Sequence, residues 1–321
     1  MAKDVEFNQK LIYAIEKIYP KKSDQVRLLK DAIGLGREAS YRRLRNEISF
    51  TFAEACLLSK SLGISLNSIA LIDNVESHVF HFRINPSDLE NYAYHKLFEH
   101  EDSFKMLLNG SVLYTMSACS AIPYSFFLPY ENLSKFRLFK WIYQTENKLI
   151  PSKFSDIVLP QNIQNIQRHL GSKLYKMPEN IFIFDRNMFA SCLDEFKYFY
   201  NLGLITDEEL SRLKNEFRQS MEDFETLAVH GKNQIGQRVW VYLSNIDFDS
   251  SYTFVKGIDF ERAYIDGIYL MDTIVSSDPV ICKMHREWIE SLRKYSTLIS
   301  VSGEMQRRSF FEKQKMLIDT I

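Results

Sequence analysis

The chain has 321 residues, too many for one small domain and suited to two or three. Its 40 Lys and Arg nearly balance its 41 Asp and Glu, so a basic patch, where one occurs, is a local concentration of charge. Only 11 glycines against 45% hydrophobic residues argue against collagen-like, low-complexity or glycine-loop-rich architecture, and no run of about 18 apolar residues predicts a membrane span.

The first residues, MAKDVEFNQK, are polar and carry acids, so they do not read as a secretory signal. Residues 7–19 place Leu11, Ile12, Ile15 and Ile18 at helical spacing. After Pro20, Ser23 or Asp24 can cap a second helix with Val26, Leu28, Leu29 and Ile33 inward. Gly34 and Gly36 permit a tight turn, and an arginine-rich helix over about 37–46 follows. Thr51 and Glu54 form a capping box that opens a fourth helix, which ends near Leu62 with Gly63 at its C′ position. Ser65 can cap a fifth, LNSIALI.

Near residue 74 the pattern changes. Residues 74–84 alternate as an extended segment, Ser87 and Glu90 open a helix to about Leu108, and residues 111–128 hold one or two strands. A helix over 131–146 carries Phe136, Leu138, Phe139, Trp141 and Ile142, and another is expected between Pro160 and Pro178. IFIF at 181–184 reads as a buried strand, followed by helices at 187–201 and 207–229, the second boxed by Thr206 and Glu209. Residues 237–273 are β-rich. Asp278 and Pro279 start a helix expected to bury Ile281, Met284, Trp288, Ile289 and Leu292, and a last helix over EMQRRSFFEKQKMLIDTI is expected to pack through Phe310, Phe311, Met316 and Leu317. The fold class is therefore multidomain: an N-terminal all-α helix-turn-helix bundle of about five helices at 1–74, then a larger α+β region at 75–321, either one domain or two at about 75–178 and 179–321.

Function is most legible between residues 31 and 47. Arg37, Arg42, Arg43 and Arg45 fall within nine residues, against the single acid Glu38. Tyr41, Leu44 and Ile48 recur at spacings of three and four and form the expected inward stripe, which turns Arg42, Arg43 and Arg45 outward. Arg37, Glu38 and Ser40 sit at the N-terminal end, where free N–H groups favour phosphate. Arginine suits a recognition helix because its planar fork pairs with guanine O6 and N7 together.

Residues 34–66 read GLGREASYRRLRNEISFTFAEACLLSKSLGISL. They are similar to the pattern GxxREAxYRRLRGExxFTFxEAxxLxxxLGISL, and residues 7–72 resemble the lambda-repressor-like helix-turn-helix domains of bacterial transcriptional regulators. The resemblance implies that Glu38, Ala39 and Arg43 face base edges, with Arg37, Ser40 and Arg42 near phosphates or neighbouring bases. Asn46 stands where the pattern has the glycine that ends the recognition helix; asparagine also accepts the left-handed conformation.

Elsewhere the chemistry is thin. The four cysteines, Cys56, Cys119, Cys192 and Cys282, form no CxxC pair and read as buried thiols of a reducing cytoplasm. His78 and His81 point to opposite faces of an alternating segment, which disfavours a metal site with His95, His100, Glu99 or Asp102. Gly231 and Gly236 have phosphate-loop spacing but lack the Lys-Ser/Thr, and a strand follows them. The aromatic run Tyr124, Phe126, Phe127, Tyr130, Phe136, Phe139, Trp141 and Tyr143 reads as core ahead of a ligand pocket. No cofactor and no catalytic constellation is expected. The expectation is a cytoplasmic DNA-binding transcriptional regulator. It includes DNA contacts from Arg37, Glu38, Ala39, Ser40, Arg42, Arg43, Arg45 and Asn46, double-stranded DNA as partner and a homodimer. Residues 75–321 are expected to serve dimerisation or a small-molecule or protein effector. The alternatives are an antitoxin-like or assembly module that uses the small domain for protein contact, and an enzyme in 75–321 with a DNA-binding appendage.

Overall fold

The computed structural model describes residues 2–64, 66, 69, 80–82, 112–145, 152–159, 161, 164–165, 167–169, 178–268 and 272–321. The helix expected from Ser87, the capping role of Ser65 and the positions of His78, His95, Glu99, His100 and Asp102 lie outside the described residues. So does most of the 160–178 helix. The chain divides into two compact units, Met1–Phe80 with Ser277–Ile281, and His81–Ser276 with Cys282–Ile321.

The first unit is helical: α1 (Ala2–Ile18), α2 (Lys22–Ile33), α3 (Arg37–Leu44) and α4 (Phe52–Leu62). Leu11 and Ile15 of α1, Leu29 of α2, Leu44 of α3, and Leu58 and Leu62 of α4 form its core. Each such side chain contributes on the order of 1.5–3 kcal/mol by leaving water. Ile18, expected inward, is 38% exposed because α1 ends there. Neither Ser23 nor Asp24 caps α2. The helix begins at Lys22 after an uncapped Lys21, and Asp24 sits inside the first turn, where its carboxylate complements the free N–H groups.

Glycine then stops α2 where the sequence requires. Gly34 takes φ 70°, and the Gly34 and Leu35 amides donate to Lys30 O and Leu29 O at 3.0 and 3.3 Å. A left-handed residue there satisfies the last carbonyls and reverses the chain in three residues before α3. The Thr51–Glu54 box forms in full, and Gly63 ends α4 at φ 66°.

The second unit is a mixed sheet with helices. Its strands are β1 (His81–Phe82), β2 (Val112–Cys119), β3 (Glu179–Phe184), β4 (Arg238–Ser244), β5 (Ser251–Gly257), β6 (Glu261–Ile268), β7 (Asp272–Ser276) and β8 (Ser296–Leu298), in the spatial order β1-β7-β6-β5-β2-β3-β4-β8. β2, β3 and β4 are parallel neighbours, whereas β5, β6 and β7 form an antiparallel meander against β2, and β8 closes the other side antiparallel to β4. β8 has three residues, too few to show a period, and was not anticipated.

Parallel neighbours need long crossovers. Between β2 and β3 run α5 (Tyr124–Phe127), α6 (Glu131–Thr145) and a 3-10 turn at Phe154–Asp156; between β3 and β4 run α7 (Ala190–Asn201) and α8 (Asp207–His230). With α10 (Glu304–Asp319), these helices bury a core containing Cys119, Phe184, Val239, Val241 and Leu243 from the strands. Phe136 and Phe196 meet edge to face at 4.6 Å, and Phe126 stacks on Phe224 at 3.7 Å. The high Phe content therefore goes into this core, as does the aromatic run from Phe126 to Tyr143. Phe310 and Phe311 also join it, but Met316 is 69% exposed.

The helix after Pro279, α9 (Pro279–Lys294), corrects an expectation. It buries Cys282, His285, Ile289 and Leu292, leaving Met284 59% and Trp288 47% exposed and Ile281 partly buried. The inward stripe runs through positions 282, 285, 289 and 292, so a cysteine and a histidine take places that hydrophobicity alone gives to Met284 and Trp288. His285 is held edge-on to Tyr252 at 5.5 Å. The whole chain thus has a helical N-terminal region followed by an α+β region with an eight-stranded mixed sheet. Among the described residues no helix is long and apolar enough to cross a membrane.

Candidate nucleic-acid interface

α3 has eight residues, and its burial pattern decides which arginines are available. Ser40 and Leu44, one turn apart, are 0% and 6% exposed. Ser40 Oγ donates to Gly36 O at 2.9 Å, so the hydroxyl is spent inside the helix. The inward line is thus Ser40–Leu44, with Tyr41 half-buried on its flank and Ile48 beyond the helix end. Ser40 is corrected from a phosphate contact to a core residue. A small side chain there lets α3 sit close to its neighbours.

Arg43 is the second correction. Its side chain is 13% exposed, and Nη2 donates to Glu54 Oε1 at 2.7 Å. The guanidinium lies 5.7 Å from the Phe50 ring centroid. Glu54 meanwhile accepts from Thr51 N through Oε2 at 2.7 Å. One carboxylate therefore closes the capping box of α4 and grips α3. Burial pushes the Glu54 carboxyl up, but the hydrogen bonds from Arg43 and Thr51 outweigh it and hold the group below its ordinary value of 4.5. Arg43 is a fold-holding residue in this structure and does not project outward.

Asn46 is the third. It adopts φ 60°, the conformation for which asparagine substitutes for glycine. Its Oδ1 accepts from Nδ2 of Asn8, and Asn8 Oδ1 accepts from Phe50 N at 2.8 Å. Asn8 is 6% exposed, so a buried amide of α1 fixes the chain on leaving α3. Sequence reading missed Asn8 and the second role of Glu54. Their partners are 38 and 11 residues away, and neither distance leaves a local signal.

Arg37, Glu38, Ala39, Arg42 and Arg45 remain exposed. Glu38, Arg42 and Arg45 share one outward stripe at i, i+4 and i+7. Arg37 and Arg45 lie 5.9 and 5.8 Å from the Tyr41 ring centroid, so one aromatic ring gathers two positive charges. Arg42 and Arg45 each approach Glu47 at 3.6 Å. Exposed pairs of that kind contribute little and exchange readily for a stronger anion. The arrangement is an arginine face on the second of two helices joined by a three-residue turn, stiffened from behind by buried polar bonds.

The second unit offers weaker chemistry. Thr253 and Thr273 hydroxyls donate to the two oxygens of Asp266 at 3.1 Å each, and Ser117 Oγ lies 3.2 Å from Thr253 Oγ1. Burial raises the Asp266 carboxyl despite those hydroxyls and the nearby charge of Arg137. Cys119 is buried, and both its burial and the Asp266 charge push its thiol far up, the reverse of an activated nucleophile. A cleft among Phe126, Tyr130, Ser220, Asp223 and Leu227 has a volume of about 10 Å³, roughly one water. Gly231 is the left-handed cap of α8, which accounts for that glycine without a phosphate loop. Among the described residues no His, Cys, Asp and Glu side chains gather as a metal site. No family model matches this chain, and no curated protein or solved structure matches it.

Proposed function

We propose that the chain is a sequence-specific DNA-binding transcriptional regulator that lays α3 in the major groove. The observation that carries this reading is the exposed Arg37, Arg42 and Arg45 face of α3, presented after the Gly34 turn while Ser40, Leu44 and Arg43 hold the helix from behind. A helix of about 10–12 Å diameter fits a major groove of comparable width. Phosphates displace the weak Glu47 contacts of Arg42 and Arg45, and the free N–H groups of the first turn face the same anions.

One helix of eight residues reads only a few base pairs, so two-fold half-sites and a homodimer belong to the reading. The second unit would supply dimerisation or response to an effector. The protein-contact alternative gains no specific observation over DNA, because the exposed face is arginine-rich and not apolar.

Selection of bound duplexes from a random pool tests this function. A palindromic enriched site is expected, bound with an affinity that falls steeply with salt. An unenriched pool overturns the proposal.

A further inference from the structure

Resting on the DNA-binding reading, we infer that Glu38 is a specificity-determining residue that selects cytosine in each half-site. Glu38 stands exposed in the middle of the arginine face, and among the described residues the ion pairs of Arg42, Arg43 and Arg45 go to Glu47 and Glu54 instead. Its i+4 neighbour Arg42 turns instead to Glu47 at 3.6 Å, and Arg37 leans on Tyr41 at 5.9 Å. The structure therefore leaves one free carboxylate on a surface otherwise suited to a polyanion.

A carboxylate there weakens contact with phosphate, so it is favourable only against a hydrogen-bond donor. In the major groove the donors are cytosine N4 and adenine N6. Adenine sets its N7 acceptor beside N6, and that lone pair faces the second carboxylate oxygen. Cytosine has a C–H on that side, so it receives Glu38 without repulsion. Ala39, next in the chain, adds no competing polar group and lets the backbone come close. Arg42, one turn on, holds a phosphate in the same reading and leaves the base edge to Glu38.

The test is duplex selection with the full chain as wild type, Glu38→Gln and Glu38→Ala, with thermal melting to show that all three fold alike. The wild-type pool is expected to fix one cytosine per half-site, and replacing that cytosine lowers affinity about tenfold. Glutamine, which pairs with adenine N6 and N7, moves that position to adenine. Alanine leaves it undetermined, with the rest of the site unchanged. If both variants still select the wild-type cytosine, or the wild-type site lacks one, the inference is overturned while the DNA-binding reading stands. If the wild-type chain enriches no sequence, both fall.

Discussion

Four arginines in nine residues divide into two kinds once their partners are known. Arg43 is 13% exposed and bonded to Glu54, so its removal acts first on folding. Arg43→Ala is expected to cost about 2 kcal/mol, the range for a charged hydrogen bond, read as a lower unfolding midpoint in urea. Arg42 is exposed and only loosely paired, so Arg42→Ala is expected to leave that midpoint unchanged. The Arg43–Glu54 bond also has a pH signature. The folded Glu54 pKa lies below 4.5, so its stabilisation is present above pH 4.5 and is lost as pH falls through the folded value. Glu54→Gln should flatten that part of the stability profile. A variant with an unchanged acid limb would show that the ion pair contributes nothing.

At the scale of elements, most local signals are legible in the sequence, although the Ser23 or Asp24 cap expected for α2 does not form. Gly34 and Gly63 as left-handed stops, and Thr51–Glu54 and Thr206–Glu209 as capping boxes, were each legible because donor and acceptor lie within one turn. They failed where a partner came from elsewhere in the chain. Ser40 lost its place on the phosphate face to tight packing, and His285 displaced Met284 and Trp288 from the inner side of α9. Burial lowers the His285 pKa from 6.5, against hydrogen bonds with the backbone of Tyr264 and Thr253. Below pH 6.5 the unfolded chain takes up a proton that the folded one resists, so stability declines as pH falls through that region. His285→Gln should remove this decline in a melting series, whatever its effect at pH 8. The junction before α10 holds a different feature. Val301 is 68% exposed at φ 61°, a conformation that costs a β-branched residue about 1–2 kcal/mol. Val301→Gly is therefore expected to raise stability by about 1 kcal/mol, and a loss of stability would show that the valine packs productively.

For the molecule as a whole, the α then α+β order was readable from changes in hydrophobic period, but the sheet topology was not. Nothing in the IFIF segment states that β3 lies between β2 and β4 and parallel to both, since that depends on how the α5–α8 crossovers pack. The candidate interface is legible as a helix, but the sequence gives no sign that Ser40 is buried, that Arg43 bonds Glu54 or that Asn46 accepts from Asn8. The proposed homodimer has a place to be tested in the second unit, where Met284 and Trp288 form an exposed apolar step on α9 flanked by Lys283, Glu287 and Glu290. Trp288→Glu should then shift the full chain from dimer to monomer in sedimentation; an unchanged dimer would place the interface elsewhere.

If α3 meets DNA through its exposed arginines, binding must depend on salt. Affinity of the full chain for a selected duplex, measured by fluorescence anisotropy across a salt series, should fall linearly on logarithmic axes. Arg42→Ala should reduce that slope by about one, because one phosphate contact and its released counterion are lost. Binding that is absent at every salt concentration, or a slope that Arg42→Ala and Arg45→Ala both leave unchanged, would contradict the claim.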